Sequence, residues 1–139
     1  MPTFTPDPGT VIEQGKAWMI VINRNQNLLG KVMLVLSRDC DDVRQLKDDE
    51  WLQLHRDIGR VTSALNSLFE PDHYNYSFLM NVDRQVHLNV IPRYEDQRAW
   101  RGLTFDDPYF GQAPPTDTRQ VPDELLSSIV DSVRGSLES

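Results

Sequence analysis

Cysteine is almost absent from this chain: Cys40 stands alone among 139 residues. A single thiol excludes an intrachain disulfide and any zinc site built on cysteines. Histidine is scarce too, with His55, His73 and His87 too far apart for H-x-H or H-x-x-x-H spacing, so neither a structural metal nor a cofactor is expected. Long apolar runs are missing as well. Nothing approaches the ~18 consecutive apolar residues of a membrane span, so no membrane partner is expected. The first residues carry neither the basic start nor the apolar stretch of a secretory signal, which makes the cytoplasm the expected compartment. Positive charge is in the minority, with 14 Lys and Arg against 21 Asp and Glu, a net charge of -7 and a pI near 4.8. The basic residues are spread along the chain and would not offset repulsion from a nucleic-acid backbone, whereas one bound phosphate needs only local positive groups. Nucleic acid is therefore not expected as a partner.

What is present fits one domain with one core. Residues 1–15 read as an N-terminal arm, with three prolines and a glycine in the first nine positions, and residues 16–139 as a single domain. Ala17 to Asn23 and Lys31 to Leu36 are compact apolar runs separated by Arg24-Asn25-Gln26-Asn27 and Gly30, which predicts two strands and a loop. Both runs are apolar at odd and even positions, so both sheet faces are expected to be covered, one by helices and the other by chain or a partner. From Asp48 to Phe69, Trp51, Leu54, Ile58, Val61, Leu65 and Leu68 recur at steps of three and four, the stripe of an amphipathic helix. Its acidic first turn suits the helix dipole, and Pro71 lies just beyond its end. Asn75 to Met80 and Gln85 to Ile91 read as a hairpin around residues 81–84, and Pro122 opens a second helix reaching about Leu137. The fold class expected is α+β: an antiparallel sheet packed with one long helix and a C-terminal helix.

A period of two in the last strand puts Val86, Leu88 and Val90 on one side and Gln85, His87 and Asn89 on the other, where they are expected to line a solvent-accessible cleft. Arg84 and Arg93 flank them, which suits a phosphate. The stretch Gln85-Val86-His87-Leu88-Asn89-Val90-Ile91-Pro92-Arg93 resembles the signature of the histidine-triad family, in which three histidines alternate with apolar residues and proline and arginine often follow. Upstream, Ile22-Asn23-Arg24 followed by Gly30-Lys31-Val32-Met33-Leu34-Val35 resembles the family's asparagine-bearing strand and its glycine-histidine strand, and the order of elements agrees from Lys16 to Tyr94. The tail Gly102-Leu103-Thr104-Phe105-Asp106-Asp107 is similar to a diadenosine tetraphosphate hydrolase-like bacterial subgroup.

The resemblance implies a nucleotide substrate and a homodimer. It implies that His87, at the middle triad position, attacks the α-phosphate and forms a transient nucleotidyl-enzyme. Such chemistry needs a neutral imidazole with one nitrogen free and the other held as a donor. The triad here is degenerate: Gln85 and Asn89 replace its outer histidines, and Lys31 stands where many members have histidine. Asn89 can still donate to a phosphate oxygen, and the galactose-1-phosphate uridylyltransferase branch uses glutamine at that position. Neither amide titrates, so leaving groups that depart without a proton are favoured. Gln85, Asn89, Asn23 and Arg93 are the candidate substrate-binding residues. Asn23 equally suits a turn at a strand end, and Arg93 equally suits pairing with an acidic residue. Three readings follow: a nucleotide hydrolase or transferase acting through His87, a catalytically attenuated nucleotide-binding protein, or a structural dimer with a vestigial site.

Overall fold

The computed structural model describes residues 5–138, so residues 1–4 of the expected arm and Ser139 lie outside the described residues. Five strands form one antiparallel sheet: β1 (Val11–Gln14), β2 (Trp18–Ile22), β3 (Val32–Leu36), β4 (His73–Ser77) and β5 (His87–Arg93), in the order β1-β2-β3-β5-β4. The long helix α1 (Asp48–Phe69) joins β3 to β4, and α2 (Asp123–Glu138) packs against α1 and β1. Strand β5 is thus inserted between β3 and the edge strand β4, so the stretch around His87 lies inside the sheet rather than along an edge. Among the described residues, no helix is long and apolar enough to cross a membrane.

The expected α+β fold is found, with several boundaries moved. Val11–Gln14, placed in the arm by composition, pairs with β2 as an edge strand, because Val11 meets Val21 and Ile12 enters the core. The hairpin loop is longer than expected: β4 ends at Ser77 and β5 begins at His87, so residues 78–86 form the connection, with Leu79 and Val82 exposed. Helix α1 starts as its charges require, Glu50 accepting the Lys47 amide at 2.8 Å and binding Arg38 at 2.7 and 2.8 Å. It ends at Glu70, which takes a left-handed conformation (φ 51°) ahead of Pro71. Leu54, Val61, Leu65 and Phe69 are buried along its stripe, whereas Trp51 is 42% exposed and meets Phe78 edge-on instead of entering the core.

The core lies between the helices and one face of the sheet, where Trp18, Ile20, Ile22, Leu34, Leu36, Leu88 and Val90 meet Leu65, Ile129 and Val133. On the opposite face Met19, Val21 and Val35 form a smaller buried cluster flanked by Val11 and Met33. All five residues of β2 are buried, as its two-sided apolar pattern implied.

After Arg93 the chain forms a small hairpin of β6 (Arg98–Trp100) and β7 (Leu103–Phe105). Its turn is Arg101-Gly102, with φ of 50° and 86°, the left-handed pair that a two-residue hairpin needs. From Asp106 the tail then crosses to the β2–β3 loop, where Gln26 donates to Arg119 O at 3.0 Å and Asn25 Nδ2 to Asp117 O at 3.0 Å.

Candidate functional site

Strand β5 divides its side chains as its alternation requires. Val86, Leu88 and Val90 enter the core, and His87 and Asn89 point to the other face, opposite Val35 and Met33 of β3 respectively. His87 is 7% exposed. It sits recessed beside the small apolar cluster, outside the core beneath the helices, so the open cleft expected around it is not what is found. Its Nδ1 lies 2.7 Å from the carbonyl oxygen of Gln85. A carbonyl can only accept, so Nδ1 is the donor in this contact and Nε2 is the ring nitrogen left for other chemistry. Among the described residues, Nε2 has no hydrogen-bonding partner. A neutral imidazole with one nitrogen anchored and the other available is the state a nucleophilic histidine needs.

Asn89 is partly exposed, and its Nδ2 makes one long contact, 3.3 Å to Ser77 O across the β4–β5 pair. Much of its donor capacity remains for a ligand. Ser77 lies directly opposite, and its Oγ is enclosed yet has no hydrogen-bonding partner among the described residues. An enclosed, unpaired hydroxyl is costly, so Ser77→Ala is expected to leave the protein equally stable or up to about 1 kcal/mol more stable in a thermal melt. A loss of that size instead would show that the hydroxyl has a partner in solution.

The structure uses the other three candidates differently. Gln85 is 3% exposed, and its amide is a clamp: Nε2 donates to Leu36 O at 2.9 Å and Arg38 O at 2.7 Å, while Oε1 accepts the Cys40 amide at 3.1 Å. In this arrangement the amide ties β5 to the end of β3. Arg93 is 2% exposed. It donates to both oxygens of Asp107 at 2.7 and 3.0 Å, to Asn75 Oδ1 at 2.7 Å, to Gln112 O at 2.7 Å and to Tyr109 O at 2.8 Å. Its donors hold the tail over the sheet, the pairing with an acidic residue that the sequence offered as the alternative to phosphate contact. Asn23 accepts the Asn25 amide at 2.9 Å, the turn alternative, while lining a pocket of about 280 Å³ with Val21 and Met33 on the His87 face. Asp7, Thr10 and Arg24 form the wall of that pocket, and Arg24 is paired with Asp7.

Lys31 was not among the candidates. It alternates with Met33 and Val35 on the same face, and its ammonium donates to Asn27 Oδ1 at 2.8 Å. Burial pushes its pKa down, and the nearby Asp117 opposes part of that shift. The only sequence signal was its position after Gly30, where the resemblance has histidine.

Neither a family model nor a curated sequence matches the chain. Solved structures do. A histidine-triad protein from Sinorhizobium meliloti is similar with a TM-score of 0.71 at 21% identity, over 96% of this chain and 97% of that one. A Bradyrhizobium japonicum histidine-triad protein gives 0.70 at 21% identity, over 91% and 89% of the two chains. The chain has the histidine-triad fold. The diadenosine triphosphate hydrolase of Plasmodium falciparum, solved with cyclomarin A, is similar with a TM-score of 0.72 at a lower identity of 14%, over 97% of this chain and 80% of that one. In this histidine-triad fold the strand carrying His87 lies inside the sheet between β3 and β4, and the helices pack on the face opposite His87.

Proposed function

We propose that this histidine-triad-fold protein is a nucleotide hydrolase or nucleotidyl transferase, acting in the cytoplasm on a dinucleoside polyphosphate or similar substrate. The observation that carries the reading is the state of His87, with Nδ1 tied to the Gln85 carbonyl at 2.7 Å and Nε2 available. Nε2 attacks the α-phosphorus, an N–P bond forms, and the P–O bond to the remaining phosphate chain breaks, its electron pair leaving with that chain. Water or another acceptor then displaces the nucleotide from Nε2 and restores the imidazole. Asn89 donates to a nonbridging oxygen as charge builds there, and the pocket beside Asn23 receives the nucleoside. The recess around His87 limits water at the phosphorus, which strengthens each of these contacts. Support from the fold is by analogy, since one solved neighbour is a diadenosine triphosphate hydrolase.

Rapid chemical quench of the protein with a labelled dinucleoside polyphosphate is expected to trap a nucleotide on His87. Turnover with no adduct would overturn the mechanism. A second reading, binding without turnover, is favoured by the 7% exposure of His87 and by the structural use of Gln85; nucleotide binding with neither turnover nor adduct would select it.

Leaving-group chemistry adds a sharper expectation. With amides at positions 85 and 89, no triad side chain delivers a proton, so a polyphosphate anion leaves more readily than the amine of a phosphoramidate. Steady-state kinetics is expected to give a higher kcat/KM for the polyphosphate, and the opposite order would place a proton donor outside the triad. The protein is also expected to pair as a homodimer, because β4 is an open edge with Tyr76 and Leu79 exposed beside it. Sedimentation at micromolar concentration tests this, a monomer counting against it.

A further inference from the structure

Lys31 sits immediately before β3, and its carbonyl accepts the Asn23 amide at 3.0 Å, which continues the β2–β3 ladder one residue past Ile22 and Val32. Its side chain therefore emerges on the face that carries Met33, Val35 and His87. Met33 is paired with Asn89, so Lys31 is the diagonal neighbour of Asn89. In such a ladder diagonal neighbours stand about 7–8 Å apart, within the span of a four-carbon side chain. Along the face the order is His87, Asn89, Lys31.

The charge of Lys31 is held in place but not neutralised by contact. Its one hydrogen bond among the described residues is to Asn27 Oδ1, and Asn27 is fixed in turn by donating Nδ2 to Pro115 O at 3.2 Å, to Asp117 O at 3.0 Å and to Asp117 Oδ1 at 3.2 Å. Arg93 and Arg24, the other cations placed on or beside this face, are paired with Asp107 and Asp7. Among the described residues, Lys31 forms no ion pair, although Asp117 is near enough to act through space. A half-buried ammonium with donors to spare is an incomplete arrangement that an anion completes.

We propose that Lys31 holds the departing phosphate chain and so selects substrates whose leaving group is a polyanion, an inference that rests on His87 being the nucleophile. In an in-line displacement the leaving oxygen lies on the far side of the phosphorus from Nε2. As the N–P bond forms and the P–O bond breaks, the electron pair stays on the departing polyphosphate. The added negative charge then develops past Asn89, where Lys31 stands. No proton is needed, which suits a triad without an acid.

The test compares wild type, Lys31→Met and Lys31→Arg on two substrates with one nucleoside: a dinucleoside polyphosphate and a nucleoside 5′-(p-nitrophenyl phosphate), whose leaving group is a single phenolate. Lys31→Met is expected to lower kcat/KM for the polyphosphate about 10- to 100-fold, by loss of one charge-assisted donor, with little change for the nitrophenyl ester. Lys31→Arg is expected to restore most of the loss. An equal fall on both substrates, or no fall on either, overturns the proposal. Calorimetry with inorganic tripolyphosphate reads the same contact without turnover: the wild type is expected to bind it and Lys31→Met to bind it more weakly by a similar factor. Absent or unchanged binding counts against Lys31. If tripolyphosphate binding depends on Lys31 while neither substrate is cleaved, the anion site stands and it is the assignment of His87 as nucleophile that fails.

Discussion

Replacing His87 with alanine is expected to lower kcat/KM for a dinucleoside polyphosphate by at least about 10³-fold and to abolish the covalent adduct, because every bond change in the proposed reaction passes through Nε2. No second histidine can stand in. His55 lies on α1, across the sheet from this face, and His73 pairs with Arg93 at the far end of β4. Asn89→Ala removes one donor and leaves the nucleophile, so a smaller loss of about 10²-fold is expected. The ranking matters more than either value, since a merely structural site would lose both activities together with stability. The His87 side chain bonds only the carbonyl two residues before it, so its removal is expected to leave the sheet folded. Circular dichroism and a thermal melt on the variant check that. Activity that survives His87→Ala would dismiss the nucleophile.

Arg93→Met is expected to cost about 3–5 kcal/mol of stability, the largest folding effect of any single change proposed, because it strands Asp107 in the interior. Asp107 loses two charge-assisted bonds, and the backbone oxygens of Tyr109 and Gln112 lose the donors that hold the tail against the sheet. For a chain of this length that corresponds to a fall in Tm of about 10 °C or more. Pairing it with Asp107→Leu is expected to recover part of the loss, since two apolar groups leave no buried charge. The same experiment separates the two roles open to Arg93. A phosphate ligand would lose activity and keep its Tm, whereas a buried anchor loses its Tm.

The sequence by itself determined which side chains share a face. A period of two in β5 and a three-four period in α1 are local properties, so the separation of His87 and Asn89 from Val86, Leu88 and Val90, and the burial of Leu54, Val61 and Leu65, were legible before any coordinates. The polar cluster around Asn23 and the apolar runs beside it were equally local. Which polar group had already found a partner was not legible, because the partners lie far away in the chain. Gln85 ties to residues about 45 to 49 positions earlier, Arg93 to residues 14 to 19 positions later, and Asn27 to the tail about 90 positions away. A strand pattern records only that an amide or a guanidinium points away from the core. Whether it then meets solvent, a substrate or the returning chain depends on where the tail crosses the sheet. Here the crossing tail engaged Arg93, the end of β3 engaged Gln85, and Lys31, on the face of His87, kept an ammonium with no ion-paired carboxylate among the described residues. Tertiary structure decided these because a buried polar group takes whichever donor or acceptor the packed chain brings within about 3 Å, and sequence distance does not enter that choice.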